Sequence, residues 1–232
     1  MKKVAVIQSS YIPWKGYFDI MRDVDLFVVG THFKYTRCDW RNRNRIKTPQ
    51  GTLWLTVPVG HQNRKMIREV VISDTEWASR HWRNIEQYYG RTPYFHRYRD
   101  FFRDVYLGRR WENLSQLNFH LITNIAHDFL GIETEIIDSG EFNVVGERLD
   151  GLLDLLRKVG ADLYVSGPRA RAYIDERHFS DEGIALIYKD YAGYPEYPQF
   201  FPPFIHEVSI VDMLFHLGPA TADYIWGWRR PV

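Results

Sequence analysis

The chain has 232 residues, of which 45% are hydrophobic and 25% charged, and its formal net charge is +1 at pH 7. These values are typical of a globular protein long enough to bury a core. The near-neutral charge argues against a general DNA-binding surface. The single cysteine, Cys38, excludes an intrachain disulfide, and no run approaches the roughly 18 apolar residues of a membrane span. We therefore expect a cytoplasmic protein.

The first part of the chain predicts a strand–helix–strand unit. The apolar run Val4–Ile7 is typical of a buried strand, Trp14–Arg22 of a short helix and Asp25–Val29 of a second strand. In such a unit, a functional loop is expected where the first strand ends. A third strand is predicted at Leu53–Val59.

The middle of the chain is predicted to be helical, because aromatic and aliphatic residues recur at helical spacing from Glu76 to Leu130. Strands are then expected again at 133–138, 163–165 and 184–188, with helices between and after them. Alternating strands and helices favour an α/β fold with a mainly parallel, Rossmann-like, doubly wound sheet. We predict a core domain made of residues 1–75 and 132–232, and a helical insertion or subdomain at 76–131.

Polar and aromatic residues follow the first strand, at a position where many α/β proteins bind phosphate. The candidates for substrate binding here are Gln8, Tyr11, Trp14 and Tyr17. The loop has neither the Walker A pattern nor G-x-G-x-x-G. Its placement is similar to the H-x-G-H loop of adenylating enzymes, but it contains no histidine. The alternative is a tight aromatic turn that closes the end of the sheet.

A second polar loop combines aromatic rings with arginine and asparagine side chains; its candidates include Tyr35 and Trp40. Arginine forks bind phosphate or carboxylate through two hydrogen bonds. In an extended segment, Asn42 and Asn44 share one face and Arg41, Arg43 and Arg45 the other. One face is then free for a ligand. A solvated basic loop is the alternative.

Three further positions are candidates for substrate contacts, and no metal site is predicted. Ser166 and Gly167 end a predicted strand, and Tyr173 lies in the short helix that follows; we interpret Ser166 as a helix cap or ligand contact rather than a nucleophile. His81 lies on a predicted helix, where a core role is equally compatible. The histidines lack the i, i+4 spacing of a zinc helix, no flavin signature is present, and no catalytic residue is identified.

The segments QSSYIPWKGYF, WRNRNRIK and GTLWLTVPV resemble the WbqC-like family, which takes its name from a member encoded in bacterial O-antigen gene clusters. The resemblance continues at HWRNIEQYYGRTPYF, LYVSGPRARAYID and VSIVDMLFHLG, so it covers nearly the whole chain; the first two segments are the specific ones. It falls on W-x-N-R-N-x-I-K and implies Asn42, Arg43, Asn44 and Lys47 as the ligand side. Because this set breaks strict alternation, it requires a turn within the segment.

Basic, amide and aromatic groups together suit a small, phosphate-bearing ligand such as a nucleotide-sugar. The resemblance implies a setting in surface-polysaccharide or secondary-metabolite biosynthesis, with acyl or aminoacyl transfer to an amino-sugar or nucleotide-linked substrate. A carrier protein or tRNA is a further partner compatible with this chemistry, and the cofactor stays unassigned. The alternatives are an ATP-dependent adenylating or ligase enzyme and a non-catalytic ligand-binding protein.

Overall fold

A computed structural model of the chain describes residues 1–62, 64–172 and 174–229. Within these ranges the strands form one parallel sheet and one separate antiparallel hairpin. In chain order they are β1 (Lys3–Gln8), β2 (Leu26–Gly30), β3 (Arg43–Thr48), β4 (Gly51–Thr56), β5 (Glu135–Asp138), β6 (Leu163–Ser166) and β7 (Ala185–Tyr188). The sheet has the order β5-β2-β1-β6-β7, and β3 pairs with β4.

The sheet is parallel throughout, and both of its faces are covered. Val4 of β1 pairs with Leu26 of β2, and Lys3 pairs with Leu163 of β6. Ala5 and Phe27 face one apolar cluster, whereas Val4 and Val6 face the other. Burial on both faces explains why these strands read as continuous apolar runs. The chain moves outward on one side of β1 and then returns to the other side, so the predicted Rossmann-like fold class is confirmed.

The predicted third strand is present, at Gly51–Thr56, but it does not join the parallel sheet. Gly51–Thr56 pairs instead with Arg43–Thr48 in an antiparallel hairpin. Arg43 lies opposite Thr56 at one end of this hairpin, and Thr48 lies opposite Gly51 at the other. The partner strand was overlooked because RNRIKT contains a single apolar residue, Ile46. The last part of the second candidate loop, from Arg43 to Lys47, therefore belongs to a strand.

Seven helices are found in the described residues, and three of them form the helical middle of the chain. They are α1 (Lys15–Arg22), α2 (Trp77–Tyr89), α3 (Phe95–Arg103), α4 (Leu114–Asn124), α5 (Arg148–Lys158), α6 (Arg177–Asp181) and α7 (Ile210–Leu217). The Asn113 side chain caps α4 by accepting from the backbone N–H of Ser115 at 2.9 Å. Helices α2 to α4 share an apolar cluster with α1 and α7. The division at residues 76 and 131 stays a prediction.

None of the helices in the described ranges is both long enough and apolar enough to cross a membrane. The last part of the chain is tied to α1 by a buried carboxylate. Asp19 Oδ1 accepts hydrogen bonds from Lys189 Nζ at 2.8 Å and Arg229 Nη1 at 2.7 Å, and Oδ2 accepts from the Tyr194 hydroxyl. Lys189 also pairs with the partly exposed Asp23. One side chain of α1 thus anchors the residue after β7, the loop beyond it and the C-terminal region.

Replacing Asp19 by alanine should lower the free energy of unfolding by about 3–5 kcal/mol, because it leaves the buried Lys189 with only the partly exposed Asp23 and removes the carboxylate that binds Arg229 and Tyr194. Urea denaturation of the purified variant measures this loss. Asp100→Ala is the matched control, since that carboxylate is 77% exposed and, among the described residues, pairs with Arg99 alone; it should change stability by less than about 0.5 kcal/mol. Equal stabilities for the two variants would show that the Asp19 contacts do not hold these segments together.

Candidate functional site

The loop after β1 is held in one conformation by residues from the hairpin and from the last helix. Ile12 has a φ of 33°, a region that is unfavourable for a β-branched residue. Its carbonyl accepts from Asn44 Nδ2 and from Ser209 Oγ, both at 2.8 Å. The Tyr11 N–H donates to the Trp40 carbonyl at 3.0 Å. The strained loop therefore owes its shape to contacts made by distant parts of the chain.

Asn42 and Asn44 are both buried, and their amides bind backbone. Asn42 Nδ2 donates to the Val57 carbonyl at 2.7 Å, and the Val57 N–H donates to the Asn42 carbonyl at 2.8 Å. Asn44 Nδ2 also reaches the Tyr11 carbonyl at 3.2 Å. These contacts give the two asparagines a positioning role, and direct ligand contact through them stays a prediction.

Residues 43–48 contain no turn, because β3 pairs with β4 without a break. The turn that we inferred to place Arg43, Asn44 and Lys47 on one side was therefore wrong; the chain turns earlier, at residues 40–41. Arg43 and Arg45 lie on the face opposite the asparagines. The Arg43 guanidinium lies 4.2 Å from the Trp54 ring centre, and Arg45 lies 5.6 Å from the Trp40 ring centre. Trp40 and Trp54 are 36% and 40% exposed. This face of the hairpin is a cationic aromatic surface open to solvent.

The side chain of Arg41 lies at the carboxyl end of β1. Arg41 was not among the candidates proposed from the sequence. Its Nη1 donates to Ser10 Oγ at 3.1 Å and its Nη2 to Gln8 Oε1, and it pairs with Asp39 at 3.3 Å. The side chain is only 12% exposed. Burial lowers the pKa of Arg41, and the negative charge of Asp39 opposes that shift; the guanidinium remains protonated. The sequence did contain one indication of this contact: Gln8 is a polar residue at the end of a buried strand, and its side-chain oxygen needs a hydrogen-bond donor.

Tyr17 lies in the electrostatic field of both Arg41 and Asp138. Burial raises the pKa of Tyr17, the charge of Arg41 acts in the opposite direction, and Asp138 raises it further. Tyr17 is therefore a neutral phenol at physiological pH. Asp138, at the end of β5, accepts from the Thr31 hydroxyl and from the Gly140 N–H at 2.7 Å. Groups from the ends of β1, β2 and β5 thus share one edge of the sheet.

Asn118 brings the helical middle of the chain to the same edge. Its Nδ2 donates to Ser9 Oγ at 3.1 Å and to the Arg41 carbonyl at 2.9 Å. Three buried polar atoms here have no hydrogen-bond partner among the described residues: Asn118 Oδ1, Arg41 Nε and Tyr17 OH. Each such group costs roughly 1–3 kcal/mol. Their concentration at the carboxyl edge of a parallel sheet indicates a binding site.

A serine–histidine pair joins β2 to β5 beside this cluster. Ser139 Oγ lies 2.8 Å from His32 Nδ1, and it accepts from the Thr31 N–H at 2.8 Å and the His32 N–H at 3.2 Å. Burial lowers the pKa of His32 to about 4, and the charge of Arg68 lowers it as well. The imidazole is therefore neutral at pH 7. Ser139 is completely buried, which assigns it a structural role here.

Two of the remaining candidates, Tyr11 and His81, contact each other in the core. The Tyr11 hydroxyl lies 2.9 Å from His81 Nδ1 and 2.6 Å from the Tyr106 hydroxyl. Burial lowers the pKa of His81 to about 3. The Trp14 ring packs 5.3 Å from Tyr191 and lies against Gly16, where a Cβ would come within 2.3 Å of it. Tyr11, His81 and Trp14 therefore pack under the loop that follows β1 and support its conformation.

The other candidates are distributed around the first loop. Tyr35 is buried, and its N–H donates to the Lys65 carbonyl at 2.9 Å. Lys47 is buried and donates to the Pro203 carbonyl. Ser166 ends β6 next to β1, at the same edge of the sheet as Gln8, and Gly167 follows it. Tyr173 lies outside the described residues. No group of three His, Cys, Asp or Glu side chains suited to a metal occurs within 1–62, 64–172 and 174–229.

Asn44→Ala should destabilise the protein by about 2–4 kcal/mol, because the Tyr11 carbonyl loses its amide donor and the Ile12 carbonyl keeps only one. Urea denaturation measures the loss. Asn143→Ala is the control, because Asn143 is exposed and offers only its backbone carbonyl to Lys158. A stable Asn44→Ala variant with weakened ligand binding would instead show that Asn44 faces the ligand.

Because the pKa of His32 is lowered in the folded protein, we expect His32 to contribute to a loss of stability as the pH falls. Its ordinary pKa is 6.5 and its folded pKa about 4, so between these values the unfolded chain binds a proton that the folded chain does not. The free energy of unfolding should fall with pH across this window, by roughly 3 kcal/mol from this group. Urea denaturation from pH 7 to pH 4 measures the slope, and His32→Asn should reduce it by this amount; the buried His81, whose pKa is also lowered, contributes to the slope that remains. An unchanged slope in the variant would mean that His32 is not held neutral.

The model of the WbqC-like protein family matches residues 8–224, a range that contains the Arg41 cluster and the hairpin. The uncharacterized protein Rv1507c of Mycobacterium tuberculosis is 43% identical over 227 residues, which are 97% of this chain and 98% of that protein. No solved structure gives a significant match. The resemblance carried by the first loop and the hairpin is thus confirmed, and the chain belongs to the WbqC-like protein family.

Proposed function

We propose that the chain is a transferase of surface-polysaccharide or secondary-metabolite biosynthesis, which transfers an acyl or aminoacyl group to an amino-sugar or nucleotide-linked substrate. The observation that supports a phosphate-bearing substrate is the Arg41 cluster at the carboxyl edge of the sheet. A largely buried guanidinium lies there with an unpartnered Nε. Doubly wound sheets bind ligands at this edge, and the unpartnered Nε–H of a charged guanidinium is a strong donor for a phosphate oxygen.

The side chains around Arg41 fit the recognition of a sugar phosphate. Tyr17 supplies a neutral hydroxyl, and Asn118 supplies an amide oxygen without a hydrogen-bond partner among the described residues. A hydroxyl and an amide oxygen are suitable partners for sugar hydroxyl groups. Catalysis in this arrangement rests on positioning and charge stabilisation, without a nucleophile–base pair.

The outer face of the hairpin supports a ring-bearing substrate. Trp40 directly precedes Arg41 in the chain, and its ring lies 5.3 Å from that of Trp54. Nucleotide bases and sugar rings both stack on such exposed indoles. A nucleotide-sugar has both the phosphate and the ring that this pair of surfaces would bind.

Family membership supports the biosynthetic setting. The WbqC-like family takes its name from a member encoded in O-antigen gene clusters, and the family model covers residues 8–224. Amino-sugars that carry acyl or aminoacyl substituents are substrates of the kind that such a setting requires. The donor of the transferred group and the catalytic base are unassigned.

Nucleotide-sugars should stabilise the protein and ATP with magnesium should not. At about 100 times the dissociation constant, a bound ligand adds roughly 2.7 kcal/mol, which corresponds to a rise in Tm on the order of 5–10 °C for this length. Arg41→Gln should weaken nucleotide-sugar binding at least tenfold in isothermal titration calorimetry, because the positive charge and its Nε–H donor are lost. Arg99→Gln, an exposed arginine on α3, is the control for charge.

The alternatives give different outcomes in the same experiment. Stabilisation by ATP and magnesium alone would replace the transferase with an adenylating or ligase activity. Equal binding of nucleotide-sugars by wild-type protein and Arg41→Gln would place the substrate elsewhere. No response to either ligand set would favour a protein that binds a carrier or another macromolecule.

A further inference from the structure

Two buried lysines lie against one loop of the protein, outside the Arg41 cluster. Lys15 is the first residue of α1 and Lys47 belongs to β3; they are 2% and 1% exposed. Each comes from one of the two motif segments that carry the family resemblance most specifically. The loop that covers them is residues 200–207, called the strap below, which contains no helix or strand.

Both ammonium groups have only neutral acceptors, and the strap supplies them. Lys15 Nζ lies 2.8 Å from Nδ1 of His206, and Lys47 Nζ donates to the Pro203 carbonyl. Within the described residues, neither lysine forms an ion pair at 4 Å or less. Burying an ammonium group without a carboxylate partner is costly, and lysines buried in this way are frequently functional.

The carboxylate that influences both lysines is already occupied. The charge of Asp212 acts on Lys15 and on Lys47. Its oxygens accept from the Tyr89 hydroxyl at 2.8 Å and the Tyr197 hydroxyl at 2.5 Å, and Gln199 Nε2 donates to it at 3.0 Å. Asp212 therefore contributes negative potential but does not pair with either ammonium group.

The surroundings of Lys15 are aromatic. Its Nζ lies 4.6 Å from the ring centre of Tyr194 and 6.0 Å from that of Phe204. Burial lowers the pKa of Lys15 to about 8, and the charges of Glu207 and Asp212 oppose this shift. Burial also lowers the pKa of Lys47. At pH 7 Lys15 still carries its charge, within a cation–π environment.

The strap is closed by its own hydrogen bonds. Gln199 Oε1 accepts from the Ile205 N–H at 2.9 Å, and Gln199 Nε2 donates to the Ile205 carbonyl at 3.2 Å. The Phe200 N–H donates to His216 Nε2 at 3.0 Å. Pro202 and Pro203, between these anchors, are exposed. Displacement of the residues between these anchors would therefore break no helix and no sheet.

We propose that the strap covers a second binding site, in which Lys15 and Lys47 bind the phosphate group of a ligand and release His206 and Pro203. A phosphate oxygen is a stronger acceptor for an ammonium group than an imidazole nitrogen or a carbonyl, because the hydrogen bond is assisted by charge on both sides. Two ammonium groups match the charge of a phosphate dianion. Tyr194 and Phe204 provide an aromatic wall for the part of the ligand next to the phosphate. This site is independent of the substrate proposed for Arg41.

Inorganic phosphate is the probe, with sodium chloride at equal ionic strength as the reference. Phosphate should raise the Tm of the wild-type protein, and Lys15→Met and Lys47→Met should each weaken phosphate binding at least tenfold. Lys34→Met is the matched control, because Lys34 is an exposed lysine paired with Glu147 at 2.7 Å, and it should bind phosphate as the wild type does. Arg41→Gln should also retain this response, which separates the two sites.

Hydrogen exchange of the strap amides provides a readout that a structural role for the lysines would not change. Phosphate should speed exchange in residues 200–207 of the wild type and of Lys34→Met, but not of Lys15→Met. Both Lys→Met variants should fold, because methionine places an apolar chain of similar length in a buried position. Equal phosphate responses in wild type, Lys15→Met and Lys47→Met would overturn the proposal, as would a wild-type protein that does not respond to phosphate.

Discussion

The carbonyl oxygen of Ile12 is the point on which the site depends. It accepts hydrogen bonds from Asn44 and Ser209, which follow it by 32 and 197 positions in the chain. The positive φ of Ile12 carries a strain of about 1–3 kcal/mol, and these two bonds offset it. With the loop fixed, Gln8 and Ser10 face Arg41. Three separate motif segments are thus parts of one structural unit.

The two faces of the hairpin make different contacts. Successive side chains of β3 point to opposite faces, so alternate residues contribute to each one. Its inner face carries Asn44 and Ile46, which are buried against the loop and the core, respectively. Its outer face carries Arg43 and Arg45 over Trp54. A one-residue shift of register would exchange the faces, expose the asparagines and bury the arginines. The alternation of arginine and asparagine therefore specifies the register of the hairpin as well as its surface chemistry.

The parallel sheet could be predicted because its strands are buried on both faces and read as apolar runs, as Leu26–Gly30 does. The helices of the middle could be predicted from their periodic apolar residues. Strand β3 could not, because Ile46 is its single apolar residue and its inward Asn44 binds the backbone of the loop after β1. Arg41 was missed for a related reason: periodicity states which residues share a face but not which arginine meets Gln8. Lysine side chains are normally exposed to solvent, so the burial of Lys15 could not be predicted from the sequence.

The two proposed sites lie on different sides of α1. Tyr17 faces the Arg41 cluster, and Lys15, two positions before it, faces the strap; residues two apart point in different directions on a helix. The strap ends at Glu207, and Ser209, two residues later, holds the Ile12 carbonyl through its hydroxyl and the Arg45 carbonyl through its N–H at 2.8 Å. A displacement of the strap that reached Ser209 would remove one of the two hydrogen bonds that keep Ile12 in its strained conformation. The covalent chain therefore provides a short physical connection between a ligand at the lysines and the shape of the loop at Arg41.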